Sequence, residues 1–174
     1  MTDREPVSME VHHEIEQHLY REARILDNEM MREWLTDMVD PEIRYQLVIR
    51  DERFRKDKSP DKDREVMPFD DDYGILDLRV RQFETGMQQM MDPAQRMFRM
   101  VTNVEAFPGE NEGEFSVSSY GFVSRFRRQY ESESSVYSRK DVLRRGEGGK
   151  LRLLSRRIEL GERVVRNKNL LFFL

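Results

Sequence analysis

Residues 114–133 read EFSVSSYGFVSRFRRQYESE. Valine, phenylalanine and tyrosine recur among serines over about twenty residues without a proline, which is the composition of a long β run. The same signal extends in both directions. Upstream, RMFRMVTNVEAF (96–107) is a strand candidate and PGENEG (108–113) is a turn. Downstream, SSVYSRKDVLRR (134–145) continues or follows the run and GEGG (146–149) turns the chain. KLRLLSRRIELGERVV (150–165) is then the last long strand. Its apolar phase slips, because Leu151 and Leu153 are odd while Ile158 and Leu160 are even. A bulge between Leu154 and Arg157 reconciles them and bends the sheet.

Before residue 96 the period is mostly helical. Val11, Ile15, Leu19, Ala23 and Leu26 form one apolar stripe within a helical reading of residues 8–39. Asp27-Asn28 breaks or caps it, a short second helix carries Met31, Trp34, Leu35 and Met38, and Pro41 ends that helix. Trp34, the only tryptophan, belongs to the core. Ile43, Tyr45, Leu47 and Ile49 then alternate with Arg44, Gln46 and Val48, a strand with one buried face. Residues 51–72 carry both charges and two prolines and read as a solvated internal loop. One of Asp70, Asp71 and Asp72 caps a third helix holding Ile75, Leu76, Val80 and Phe83, bounded by Gly86 and Pro93. Helices first and antiparallel strands after is an α+β order in one domain, residues 1–174, with the N-terminal helices filling a curved sheet. The other sheet face reads as poor in large apolar residues and rich in arginine.

Composition narrows the function. Hydrophobic and charged residues each make up 37%, net charge is −4, and the charges are interspersed, so nucleic acid is not expected as a partner. No apolar run approaches the length of a membrane span, and the N-terminus lacks the pattern of a signal peptide. A cytoplasmic location, away from the membrane, is expected. There is no cysteine, which excludes a thiolate nucleophile and any cysteine-ligated zinc or iron–sulfur centre on this chain. The three histidines are His12, His13 and His18. His12 and His13 are about 100° apart around a helix, so they do not converge on a metal. Glu14 and His18 are four apart and read as an ordinary helix pair.

Four stretches carry a resemblance: YREARILDNEMMREWLTDMVDPEIRYQLVIR (20–50), FDDDYGILDLRVRQFETG (69–86), TNVEAF (102–107) and SRRIELGERVVRNKNLLFFL (155–174). In order and spacing they resemble the small, or β, subunit of bacterial aromatic-ring-hydroxylating dioxygenases of the Rieske non-haem iron type. The chain departs from that pattern at Tyr45–Val48, where the family often has Tyr-Trp-Met-Pro. The resemblance implies the cone-shaped α+β fold of nuclear transport factor 2, ketosteroid isomerase and scytalone dehydratase. It implies a partner, the large α subunit, with three α and three β in the assembly. It places the Rieske two-iron two-sulfur cluster and the mononuclear iron on α, leaving no cofactor, metal or catalytic residue on this chain.

Candidate interface residues follow from the arginine-rich strands and the apolar close of the chain. They are Arg125, Arg127, Arg128, Arg156 and Arg157, with Leu170, Phe172, Phe173 and Leu174. In LLFFL (170–174), alternate residues are expected to serve two surfaces, one set on this subunit's core and the other on a neighbouring chain. The Met-rich GMQQMMD (86–92) is either a subunit contact or a plain surface loop. The competing reading is a stand-alone cone-fold isomerase, dehydratase or cyclase with an acid–base pocket, for which Asp77, Glu105 and His18 are candidates. A homo-oligomeric ligand-binding protein is a third.

Overall fold

The computed structural model describes residues 5–50, 65–85, 96–127, 131–161 and 173–174. Helix α1 spans Met9–Asp27, its first turn capped by the Ser8 hydroxyl, which accepts from the Val11 N–H. The apolar stripe turns inward: Ile15, Leu19, Ala23 and Leu26 are buried, and so is Glu22 on the same stripe. Asn28 ends the helix. One α turn, α2 (Met31–Glu33), runs into a π-helical turn at Trp34–Met38 that points Trp34, Leu35 and Met38 into the core. The helix therefore stops at Met38, and Pro41 lies inside strand β1 (Val39–Arg50) rather than ending the helix. The antiparallel partner of β1 pairs with it only from Tyr45 onward and the parallel partner at Val39 and again from Arg44, so Pro41 falls in a gap of both ladders and its missing N–H breaks no ladder bond.

Strand β2 (Glu65–Asp71) forms a hairpin with β1, Tyr45 facing Asp71 and Arg50 facing Glu65. This corrects the reading of 51–72 as loop throughout. Charges and Pro68 conceal an edge strand, where a proline is tolerated because one side has no partner. Residues 51–64 lie outside the described residues, as do Met87–Asp92 and Pro93. Asp72 caps α3 (Tyr73–Glu84), its carboxylate accepting from the Ile75 N–H at 2.9 Å. Leu76 and Val80 face inward, Phe83 packs at the core's edge, and Ile75 is exposed.

The long run of β signal becomes β3 (Arg96–Pro108), β4 (Glu114–Arg127), β5 (Glu131–Arg145) and β6 (Leu151–Leu160). The sheet order is β2-β1-β6-β5-β4-β3. Neighbours are antiparallel except β1 and β6, which run parallel because the meander brings its last strand back to the chain's first. The expected bulge is present: Val142 faces Ser155 and Leu143 faces Leu153, leaving Leu154 extra. Another sits in β3 at Asn103, whose φ of 52° suits asparagine better than most residues. The bent sheet wraps α1, Trp34, Leu47, Leu76, Leu153 and Ile158 into one core.

Candidate functional site

Strand phase carries charge into the cone. In β5, Tyr137, Arg139, Asp141 and Leu143 all point inward. In β6, the bulge puts Arg156 in step with Ile158 and Leu160, and Arg156 is 0% exposed. Its guanidinium donates to Asp141 Oδ1 and Oδ2 at 3.0 and 2.8 Å and to Glu22 Oε1 and Oε2 at 2.8 Å each. Trp34 Nε1 donates to Glu22 Oε1 at 2.9 Å, and Arg139 Nη1 reaches Glu22 Oε2 at 3.4 Å. Burial alone would raise the Glu22 pKa. The charges of Arg156 and Arg139, with hydrogen bonds from Arg156 and Trp34, win and hold it at about 2. The carboxylates in turn hold Arg156 well above the ordinary arginine value, against the opposing effect of its burial.

Above this network sit Phe173 and Leu174. The Phe173 ring stacks on Trp34 with centroids 4.4 Å apart, and the Arg79 guanidinium lies over it at 4.7 Å. Tyr45 and Phe83 approach its edge at 6.2 and 6.1 Å. Arg99, paired with Asp27, donates to the Phe173 carbonyl at 2.8 and 3.3 Å. The Leu174 carbonyl accepts from Arg156 and from the Tyr45 hydroxyl, each at 2.9 Å. Burial raises the Tyr45 pKa, so it stays a neutral phenol.

The expectation that Arg156, Phe173 and Leu174 serve a neighbouring chain is therefore corrected: all three are buried in this subunit. Phe173 and Leu174 do not divide between two surfaces, because they lie in no strand and the alternation of a strand does not apply. Leu170, Phe172 and Arg128 lie outside the described residues. Arg127 is in β4 opposite Glu131. Arg125 is half-buried and bonded to Glu133 across the hairpin. Arg157 is on the outer face opposite Lys140. Among the described side chains, Arg125, Arg156 and Arg157 are not gathered into one patch, since Arg156 is buried inside the cone and Arg157 is on the outer face.

The outer face holds something else. Phe98, Met100, Tyr120, Phe126 and Val136 are exposed there, with Met100 at 58% and Val136 at 54%. Met100 faces Phe122, which faces Val136, so three strands contribute to one apolar row. Phe98 meets Phe126 edge-on at 6.0 Å, and Arg96 covers Phe98 at 5.7 Å. This corrects the reading of the outer face as poor in large apolar side chains.

The acid–base candidates are dispersed. Asp77 is on α3, paired with Arg32 and Arg81, and Glu105 is exposed on β3. His18 is held below its ordinary pKa, first by burial, despite Glu22 and Asp141 nearby. Among the described residues no cluster of histidine, aspartate and glutamate is placed to hold a metal, and the donor set lacks the cysteines an iron–sulfur cluster needs. Two surface hollows, of about 330 Å³ beside Glu114 and Arg144 and about 260 Å³ beside Met30 and Phe83, lie outside the cone. No described helix is long and apolar enough to cross a membrane.

A curved sheet closed around its own salt-bridged interior, with an apolar outer face, defines a cone-shaped α+β fold. That fold is shared with structural neighbours of the scytalone dehydratase kind. Residues 21–167 match the family described as ring hydroxylating beta subunit, and the chain belongs to that family. It is 32% identical over 171 residues to the biphenyl 2,3-dioxygenase subunit beta of Rhodococcus jostii RHA1, covering 97% of this chain and 91% of that one. It is 33% identical over 172 residues to the benzene 1,2-dioxygenase subunit beta of Pseudomonas putida, with the same coverage. Naphthalene 1,2-dioxygenase with indole bound superposes at a TM-score of 0.90 and 26% identity, covering 97% of this chain and 88% of that one. The chain is thus a dioxygenase β subunit, and the expected cone-shaped α+β fold holds. The subunit reading is favoured over the stand-alone isomerase, dehydratase or cyclase.

Signals for the buried network were present in the sequence. Glu22 is three residues after Leu19 and four before Leu26, a carboxylate on an apolar stripe. Arg139 and Asp141 alternate in phase with Tyr137 and Leu143.

Proposed function

We propose that this β subunit is a single-domain (1–174), non-catalytic assembly element that stabilises an iron-containing α subunit for dihydroxylation of aromatic hydrocarbons. The observation that carries it is the outer face of β3, β4 and β5. Its apolar row is wider than scattered surface residues explain, and such a face needs a cover. The occupant is α, because a β subunit of this family exists in company with one. The Rieske cluster and mononuclear iron reside on α, three copies of each subunit assemble, and the complex works in the cytoplasm. The paired state of Glu22, Asp141 and Arg156 supports a structural role, since a general base needs a free lone pair and a pKa nearer neutrality.

The test is expression of this chain alone and with its neighbouring large-subunit reading frame, followed by size-exclusion chromatography with light scattering. The expected result is a brown complex of the mass of three α and three β, and a colourless, inactive β alone. A colourless chain that converts substrate unaided, or one that never co-elutes with α, overturns the reading.

A further inference from the structure

The outer face of the sheet carries a hollow as well as the apolar row. Its volume is about 330 Å³, at the lower end of the roughly 300–1,000 Å³ typical of binding pockets. Val142, Leu154 and Ser155 line it at the β6 bulge, where Leu154 is the extra residue. The opposite wall is the turn between β3 and β4. Gly109 packs so closely there that a Cβ would lie 2.7 Å from the Glu114 Cβ, and its N–H donates to the Glu114 carbonyl at 2.8 Å. Glu114 is left 7% exposed, with Oε2 accepting from Asn111 Nδ2 at 2.9 Å. Glu110 stands exposed at the rim.

The charges around the hollow do not balance. Arg144 is the cation in its lining, and three carboxylates share it: Glu42 at 2.6 Å, Glu114 at 3.3 Å and Asp40 at 3.7 Å. Arg152, across the ladder from Arg144, brings a second guanidinium, whose Nη1 donates to the Thr36 and Val39 carbonyls. With Glu110 counted, four carboxylates stand against two cations. The hydroxyls of Ser116 and Ser155 add acceptors, while Val142 and Leu154 supply apolar wall. Apolar wall for a methylene stem, with surplus negative charge at its end, is the complement of a long basic side chain.

We propose that this hollow is a socket for a basic side chain of the α subunit, arginine rather than lysine because the acceptors are spread as a five-donor fork requires. The proposal rests on the reading that α covers the outer face, and distance joins the two. Ser116 and Phe122 are outward positions of β4 six residues apart, which is about 20 Å. A standard interface of about 800 Å² per partner is roughly 30 Å across, so one partner spans the apolar row and the hollow together. The row supplies adhesion, and the socket fixes register.

The test uses the full chain with α, affinity being read by titration at low and at high salt. Glu110→Lys, at an exposed turn position, is expected to melt like the unsubstituted subunit and to bind α about tenfold more weakly at low ionic strength. Glu110→Gln with Glu114→Gln is expected to weaken binding by a similar factor and to flatten its salt dependence. Gln17→Lys, on the exposed side of α1, is expected to alter neither. Among arginine→methionine variants of α, one is expected to be non-additive with the double glutamine variant. Unchanged affinity and salt slope in Glu110→Lys overturn the socket, and if Met100→Lys still breaks the complex the assembly reading survives. An equal loss in Gln17→Lys overturns it in favour of net charge. Weakened β–β association with α binding intact gives the hollow to a sister copy and overturns α as its occupant. A chain that never binds α overturns both readings.

Discussion

Glu22 shows how one residue links the cone's chemistry to its stability. Its carboxylate is held at about 2, below the ordinary 4.5. A depressed folded pKa means that its stabilisation is fully present above about pH 4.5 and is lost as pH falls from there toward 2. A shift of that size corresponds to roughly 3 kcal/mol. Thermal melts should therefore show Tm dropping steeply between pH 4.5 and 2, with a shallower slope in Glu22→Gln. The unsubstituted slope persisting in Glu22→Gln would assign the acid sensitivity to other carboxylates. Arg156 carries the opposite charge and tests the same network. Arg156→Met strands Glu22 and Asp141 in the core, and breaking a buried pair in this way costs about 3–5 kcal/mol. The loss comes from stranded charge rather than missing volume. Adding Glu22→Gln to Arg156→Met should then cost less than Glu22→Gln does in the unsubstituted chain, a non-additivity that chemical denaturation can measure.

At the level of elements, β4 and β5 pack so closely that one glycine is required. A Cβ at Gly121 would overlap the Tyr137 ring on the facing strand, and that ring is fully buried. Gly121→Ala should destabilise by about 1–3 kcal/mol, the usual cost of overpacking, and restore part of it when Tyr137 becomes Phe or Leu. Denaturant midpoints unchanged by Gly121→Ala would mean the ring moves freely. The elements also show where sequence was informative. The α1 stripe, an aspartate cap within Asp70–Asp72, the PGENEG and GEGG turns and the β6 bulge were all legible, because each depends on spacing within a few residues. Strand β2 was not, since an edge strand needs neither alternation nor freedom from proline. Arg156 was misplaced because pairing partners 15 and 134 residues away decide whether a charge is buried. Phe173 was misread because its hold is by side chains, which leave no period in the sequence. The outer row of β3 to β5 was hidden because both faces of those strands carry aromatic residues, and only the covering helix decides which face is inside.

On the scale of the whole molecule, the two faces of one sheet divide the work. The inner face closes on helix, paired charge and Phe173, so it sets whether the subunit folds. The outer face contributes little to that, since Met100 and Val136 remain more than half exposed. Substitutions there should separate folding from assembly. Met100→Lys or Val136→Asp places a charge in a strand position that already faces water, where surface changes usually move stability by less than about 0.5 kcal/mol. In a complex with α the same charge would be buried without a partner, a penalty of several kcal/mol that an interface of ordinary size cannot absorb. The expected outcome is a variant whose melt matches the unsubstituted subunit but which elutes apart from α on size-exclusion chromatography. Lys140→Ala, outside the apolar row on the same face, should leave the complex intact. Full assembly in both charged variants would show that α is met elsewhere. Loss of β–β association with α binding retained would assign the face to a sister copy instead.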